Sequence, residues 1–332
     1  MNLRSISIIL SFIFLSGYAF SQQVLATGPV CITVKNMDNS LRFYTRVLPF
    51  KLTGTEDFYG DNEEVLMNKF GIHYRVAHLQ LGDEKIDLID YLTAGGRAMP
   101  EVQHSNDLGF QHIAIVVSDI DKAVDLLLRN QVEFVSTNPQ TLPPSNIAAA
   151  GIKAFYFHDN DNHNLELIYF PEGKGKPKWQ KKNGPLFLGI DHTAIGISNT
   201  DSSLVFWSRI LGLEKKGESH NLGTEQAHLN NIENAELRIT GLSARNGGMG
   251  VEFLQYLNPG PGNPYPSDTQ CDDLWNWLIK AECTNSSGLF DLLNEKGYSV
   301  VSKRVVEING IKQFIARDNN GHAVWFQEKT IK

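Results

Sequence analysis

Two constant offsets run through this chain, and they constrain its fold more than any composition figure does. The segment 28–34 (Gly-Pro-Val-Cys-Ile-Thr-Val) matches 191–197 (Asp-His-Thr-Ala-Ile-Gly-Ile). Both alternate as strands do and run into an amphipathic helix, with Asp38 and Asp201 as matching helix-start candidates. Leu41, Tyr44 and Leu48 then match Leu204, Trp207 and Leu211, an i, i+3, i+7 stripe that buries one helical face. The offset is 163 residues (192 − 29 and 204 − 41). A second pair, 107–112 against 273–278, is set 166 residues apart, and the helices behind it carry Val124 and Leu127 against Phe290 and Leu293. Each half closes on a turn and a strand, 158–170 and 317–328. The chain therefore divides into two halves of two modules, each reading strand, helix, then several strands.

At 332 residues and 42% hydrophobic, the chain is long enough to bury a sizeable core in two domains. Residues 1–21 read as a signal peptide: Arg4 is the basic start, Ile8 to Leu15 the apolar core, and Ala19-Phe20-Ser21 the cleavage site. That run is short for a membrane span, and no cysteine follows it to carry a lipid. The expected protein starts near Gln22, is periplasmic or secreted, and keeps no stable membrane anchor. Its boundaries are 22–172 for the first domain (modules one and two), 173–186 for a Gly-, Pro- and Lys-rich linker, and 187–332 for the second (modules three and four). The linker charges read as a solvated connector. A net charge of −7 gives no footprint for nucleic acid. Cys31, Cys271 and Cys283 are odd in number and lack CxxC spacing, so they form neither a disulfide framework nor a zinc ribbon. A Cys271–Cys283 pair in an oxidising compartment stays open.

A first strand opening with His, a helix carrying Phe43-Tyr44 or Phe206-Trp207, and a closing segment of the form Asp-x-Asp-x-His-x-Leu-Glu-Leu (159–167) occur together here. In these features the chain resembles the vicinal-oxygen-chelate (VOC) superfamily of glyoxalases, bleomycin-resistance proteins and extradiol dioxygenases, over nearly all of its length past residue 21. The resemblance implies an α+β fold: four βαβββ modules forming two curved, half-barrel mixed sheets with helices outside. It also implies one divalent metal held between two facing modules, by a His or Gln from each first strand and a Glu from each last strand.

Carried over position by position, the first-strand ligand place holds Pro29, His112, His192 and Leu278 in modules one to four, and the last-strand place holds Asp87, Glu166, Glu252 and Trp325. Only modules two and three keep a full set: His112, Glu166, His192 and Glu252. Pairing module one with two and three with four leaves two incomplete sites. Pairing two with three and one with four gives one complete site and one lost one, and needs a single loss; it is the preferred arrangement. Two imidazoles and two carboxylates suit Zn²⁺, Fe²⁺, Ni²⁺ or Mn²⁺. Small neighbours on the same strand faces, Ala114 and Ala194, leave room for a ligand. Asp87, a methylene short and without a histidine in its module, reads as a relic or a pocket acid. Asp159 to Asn162 begins like a calcium loop but lacks its Gly and distal Glu, so it reads as a polar turn capped by His163.

Three functions fit this pattern. A glyoxalase-like isomerase or lyase would use the metal as Lewis acid on neighbouring substrate oxygens, with Glu166 or Glu252 moving a proton as the catalytic base. A non-haem Fe(II) extradiol-type dioxygenase would use His112, His192 and one Glu. A bleomycin-resistance type of binding protein would need no metal, and Trp275, Trp277 and Trp325 could line an apolar pocket in modules one and four or simply fill core. The partner in each case is a small molecule. Segments 56–64, 137–150 and 258–272 are the candidate specificity loops. A monomer or a homodimer is compatible with four modules.

Overall fold

A computed structural model describes residues 24–93, 95–180 and 184–329; the signal-peptide expectation lies outside the described residues. Module one comprises β1 (Val24–Val34), α1 (Met37–Arg42), β2 (Lys51–Tyr59), α2 (Asp61–Met67), β3 (His73–Leu81) and β4 (Glu84–Tyr91). Module two has β5 (Phe110–Val117), α3 (Ile120–Arg129), the short β6 (Gln140–Thr141), β7 (Lys153–His158) and β8 (Asn164–Tyr169). Module three has β9 (Phe187–Gly196), α4 (Thr200–Leu204), β10 (Glu214–Asn221), α5 (Thr224–Asn230), β11 (Glu236–Ser243) and β12 (Gly250–Asn258). Module four has β13 (Trp277–Cys283), α6 (Ser286–Glu295), β14 (Val306–Ile308), β15 (Ile311–Arg317) and β16 (Ala323–Glu328).

The repeat is visible in the helix starts, though not at the residues expected. Asn36 and Asn199 cap α1 and α4 by accepting the N–H of Asn39 and of Ser202. Asp38 and Asp201 sit in the first turn instead, where a carboxylate favours the positive end of the helix dipole. Asp119 and Asn285 cap α3 and α6 in the same way. The caps repeat at the offsets read from the sequence, 163 (199 − 36) and 166 (285 − 119). Both α1 and α4 run on into a wider π-helical turn, 43–47 and 205–210, which carries the aromatic pairs.

The strands form two eight-stranded mixed sheets, in the orders β14-β15-β16-β13-β1-β4-β3-β2 and β10-β11-β12-β9-β5-β8-β7-β6. Module one is thus joined to module four, and module two to module three. The seams are antiparallel, β1 on β13 and β5 on β9. One apolar core carries side chains from all four modules, including Ile32, Ile113, Ile195 and Ile279. These alternate along their strands with the residues on each sheet's concave face. The turns after β7 and β15 tie the modules of each half together. Tyr44 donates from its hydroxyl to Asp159 Oδ2 (3.0 Å), and Trp207 donates from Nε1 to Asp318 Oδ2 (2.9 Å). Asp159 in turn accepts the backbone N–H groups of Asp161 and His163, which bears out the polar turn.

Two expectations need correction, and one open alternative is closed. Segment 56–64 is not a loop: it completes β2 and begins α2, and modules one and three each carry this additional helix, α2 and α5. The linker is not simply solvated either. Trp179 is buried and donates to Asp191 Oδ1 at 2.7 Å, while Lys176 pairs with Asp191 and Lys178 with Glu84. The three cysteines are buried, free thiols, so Cys271 and Cys283 are not paired.

Candidate metal centre

The concave face of the second sheet gathers the four predicted ligands. His112 on β5 and His192 on β9 meet across the seam, with ring centroids 5.5 Å apart. Glu166 on β8 and Glu252 on β12 approach from the strands parallel to them, opposite Ala114 and Ala194 respectively. The alanines leave the space above the strands open for the carboxylate arms. His112 Nε2 lies 3.1 Å from Glu166 Oε2, His192 Nε2 3.7 Å from the same oxygen, and His192 Nε2 3.4 Å from Glu252 Oε1.

His112 Nε2, His192 Nε2 and Glu166 Oε2 are all buried, and none has a hydrogen-bond partner. Each such orphan costs about 1–3 kcal/mol, and here three of them converge. Donors bound to one divalent ion at about 2.0–2.2 Å lie about 3.0–3.6 Å from each other, so the observed edges match the spacing that an ion requires. Among the described residues, these three side chains place their ligand atoms within 4.8 Å of one another. The donor set fits a divalent metal, with Glu252 at its edge and more open to the cavity.

Two further side chains orient the imidazoles, and sequence reasoning missed both. His112 Nδ1–H faces Gln111 Oε1, and His192 Nδ1–H donates to Asp191 Oδ2 at 3.1 Å. Each contact leaves Nε2 as the atom turned toward the ligand cluster. Neighbours along a regular strand point to opposite faces, so Gln111 and Asp191 should not reach these rings. The register between β5 and β9 slips at both places, between Phe110 and His112 and between Ile113 and Ile115. Bulges of this kind re-aim side chains beside functional sites.

The carboxylates around the imidazoles favour positive charge at the cluster. Burial works against a charged His192, yet the carboxylates of Glu252 and Asp191 outweigh it and hold its value well above the ordinary histidine range. Burial also opposes ionisation of Asp191, but His192, Lys176 and Trp179 together keep it well below the usual carboxylate range. Tyr156, whose ring lies tilted against His112 with centroids 4.9 Å apart, is held far above its normal value by burial and by Glu166, so it stays a neutral phenol. His158, at the end of β7, does not line the cavity.

A cavity of about 260 Å³ opens above His192, Glu166 and Glu252. It is asymmetric. Tyr156 stands opposite Glu166 on β7, whereas the matching place opposite Glu252 on β11 is Gly241. A Cβ at Gly241 or Gly217 would meet nothing within 4 Å, so the space lies on module three's side. Of the three expected specificity loops only 137–150 contributes, through Leu142, Ala148 and Ala149.

The matching place in the other sheet is not a ligand site. Asp87 is buried there in a charged cluster, which is compatible with a relic of a lost site. It accepts from Lys280 Nζ at 2.7 Å and contacts His78 Nδ1 at 2.7 Å. The Lys280 ammonium lies over the Trp325 ring, so a covalently attached cation balances the carboxylate there. Leu66 and Met67 of α2, with Tyr74, Leu278 and Trp325, pack together in the concavity of modules one and four, while Trp275 and Trp277 line a separate cavity of about 200 Å³ with Met99, Val102, Phe110 and Tyr265. Trp277 belongs to the central core, stacked on Phe110, and Trp275 packs under Arg97.

Two curved sheets of paired modules, with a His/Glu cluster inside one of them, define a VOC-type protein. The chain belongs to the Glyoxalase/Bleomycin resistance protein/Dioxygenase superfamily, whose family model matches residues 26–167 and 189–326. Among characterised relatives it is 30% identical over 156 residues to a 2-epi-5-epi-valiolone epimerase of Actinomyces sp., a match covering 45% of this chain and 81% of that protein. It is 27% identical over 214 residues to glyoxalase I of Saccharomyces cerevisiae, covering 59% of each. Glyoxalase I of Zea mays superposes with a TM-score of 0.59 at 14% identity, over 93% of this chain and 92% of that one. A putative dioxygenase of Bacillus subtilis superposes with a TM-score of 0.56 at 14% identity, over 94% and 87%. These two structures share the fold.

Proposed function

We propose that the chain is a metal-dependent isomerase or epimerase that moves a proton on the carbon beside a carbonyl of a small oxygenated substrate. The observation that carries this reading is the convergence of three buried, partnerless donor atoms, His112 Nε2, His192 Nε2 and Glu166 Oε2, with His192 and Glu166 lining a cavity. Those residues, with Glu252, would hold one divalent metal, which when bound supplies Lewis-acid polarisation of the carbonyl. Glu252 is the candidate base. Its side chain retains 24% exposure, against 6% for Glu166, and it faces the cavity. It takes the proton from carbon and returns it to the other face or to the neighbouring carbon. The product is an isomer, so neither oxidant nor reductant is consumed. Similarity to an epimerase and to a glyoxalase I supports this class over others.

The same cluster of two imidazoles and one carboxylate suits Fe(II) oxygen chemistry, which is the second reading. Elemental analysis of the chain from Gln22, with His112→Ala, His192→Ala and Asp87→Ala variants, tests both. About one ion per chain, lost with either histidine and kept without Asp87, is the expected result. Zinc, nickel or manganese together with hydrogen–deuterium exchange beside the carbonyl of a substrate supports the isomerase. Iron with oxygen uptake supports the alternative. A chain that binds no ion after reconstitution with each metal excludes both.

A further inference from the structure

We propose that the cavity selects an uncharged, polyhydroxylated carbonyl compound about the size of one sugar ring; this rests on the isomerase reading above. Three features of the walls lead there. The first is size. About 260 Å³ exceeds the roughly 150 Å³ that encloses benzene and falls short of the roughly 300–1,000 Å³ of drug-sized sites.

The second feature is charge. Among the described residues no lysine or arginine lines the cavity, while four carboxylates do: Glu166, Asp191, Glu218 and Glu252. Away from the metal, a phosphate or carboxylate on the substrate would enter against them with no lysine or arginine to receive it. A cationic substrate gains little, because the metal would take up the charge of Glu166 and Glu252 and the other two carboxylates are paired. Glu166 and Glu252 face the histidines, and Asp191 pairs with Lys176. Glu218 is bound by Lys215, Thr240 and Arg238, which pull it down to about 2.

The third is a chain of carboxamides behind one wall. Asn146 Nδ2 donates to Asn221 Oδ1 (2.6 Å), Asn221 Nδ2 to Gln226 Oε1 (3.0 Å), Gln226 Nε2 to Asn230 Oδ1, and Asn230 Nδ2 to the Tyr256 hydroxyl (2.7 Å). Each of the two amides in the wall, Asn221 and Gln226, spends one N–H and one lone pair on this chain. One donor and one acceptor remain on each. A hydroxyl group offers that same pairing, whereas a carboxylate or phosphate offers acceptors only. A further part of the wall, from Leu142, Ile152, Ala154 and Ile168, is apolar and suits the C–H face of a ring.

The test uses the full chain loaded with its metal and three matched probes: D-fructose, fructose 6-phosphate and glucosamine. Binding is measured by calorimetry, and exchange beside the carbonyl is followed in D₂O by NMR. The neutral sugar should bind at least tenfold more tightly than either charged one. Gln226→Leu should weaken that binding about tenfold, and Gly241→Leu should abolish it by filling the cavity, both with metal content unchanged. Equal or tighter binding of a charged probe overturns the proposal, as does failure of all three to bind. Selective binding of the neutral sugar without any exchange upholds the selectivity and overturns the isomerase reading.

Discussion

At the scale of single residues, the site depends on side chains that never touch the ligand position. Asp191 holds His192 by its Nδ1–H and is itself held by Trp179 and Lys176. Losing such a support lowers metal affinity by about 10–100-fold. Asp191→Asn should therefore weaken zinc binding by that factor in a competition titration against a chromogenic chelator, with the circular dichroism spectrum retained. Unchanged affinity would show that His192 is oriented by packing alone. The four ligand candidates were legible in the sequence because each recurs at a fixed place in its module. Asp191 and Gln111 were not. They matter only because β5 and β9 slip in register, and the slip is set by pairing between strands far apart in sequence.

At the scale of elements, β13 shows what became of the other site. Lys280, two residues past Leu278 on the same face, reaches Asp87 on β4, which also contacts His78 on β3. Removing one partner of a buried pair costs about 3–5 kcal/mol, so Lys280→Met should lower stability by that much, and adding Asp87→Asn should recover part of it. The pH dependence follows from two opposite shifts. Burial alone would raise Asp87, but His78 and Lys280 outweigh it and hold the carboxyl below the usual range. That contribution is complete above the unfolded value of about 3.9 and is lost as pH falls through the native value. The hydrogen bond to Asp87 raises His78 against the effect of burial. Its contribution is complete below about 6.5 and fades as pH climbs through the native value. The urea midpoint of the parent should exceed that of His78→Gln most between about pH 4 and 6.5; a gap that widens above pH 7 would contradict this. The sequence marked Pro29, Leu278 and Trp325 as unable to bind metal, but it did not reveal Lys280 as the replacement cation. A lone lysine in a strand looks solvent-facing until its neighbours are known. Helices α2 and α5 escaped for a similar reason, being seven residues each with glycine rather than a capping side chain at their starts.

At the scale of the whole molecule, the halves of the sequence are not the halves of the structure. Each sheet takes one module from either half, so His112 and Glu166 come from the first and His192 and Glu252 from the second. The distribution of surviving ligands had favoured this pairing, since any other splits the complete set. A single apolar core spans all four modules, so unfolding should be one cooperative event. A metal bound only by the folded chain then stabilises the whole chain, by about 2.7 kcal/mol at a hundredfold excess over its dissociation constant. His112→Ala and His192→Ala should each remove that entire increment, although they lie in different halves, and both should leave one transition seen alike by far-ultraviolet circular dichroism and tryptophan fluorescence. If the halves were independent domains, zinc would shift only one of two separable transitions, and only one of the two substitutions would abolish the shift. A global, all-or-none response to either histidine follows only when the site is the seam that joins the halves.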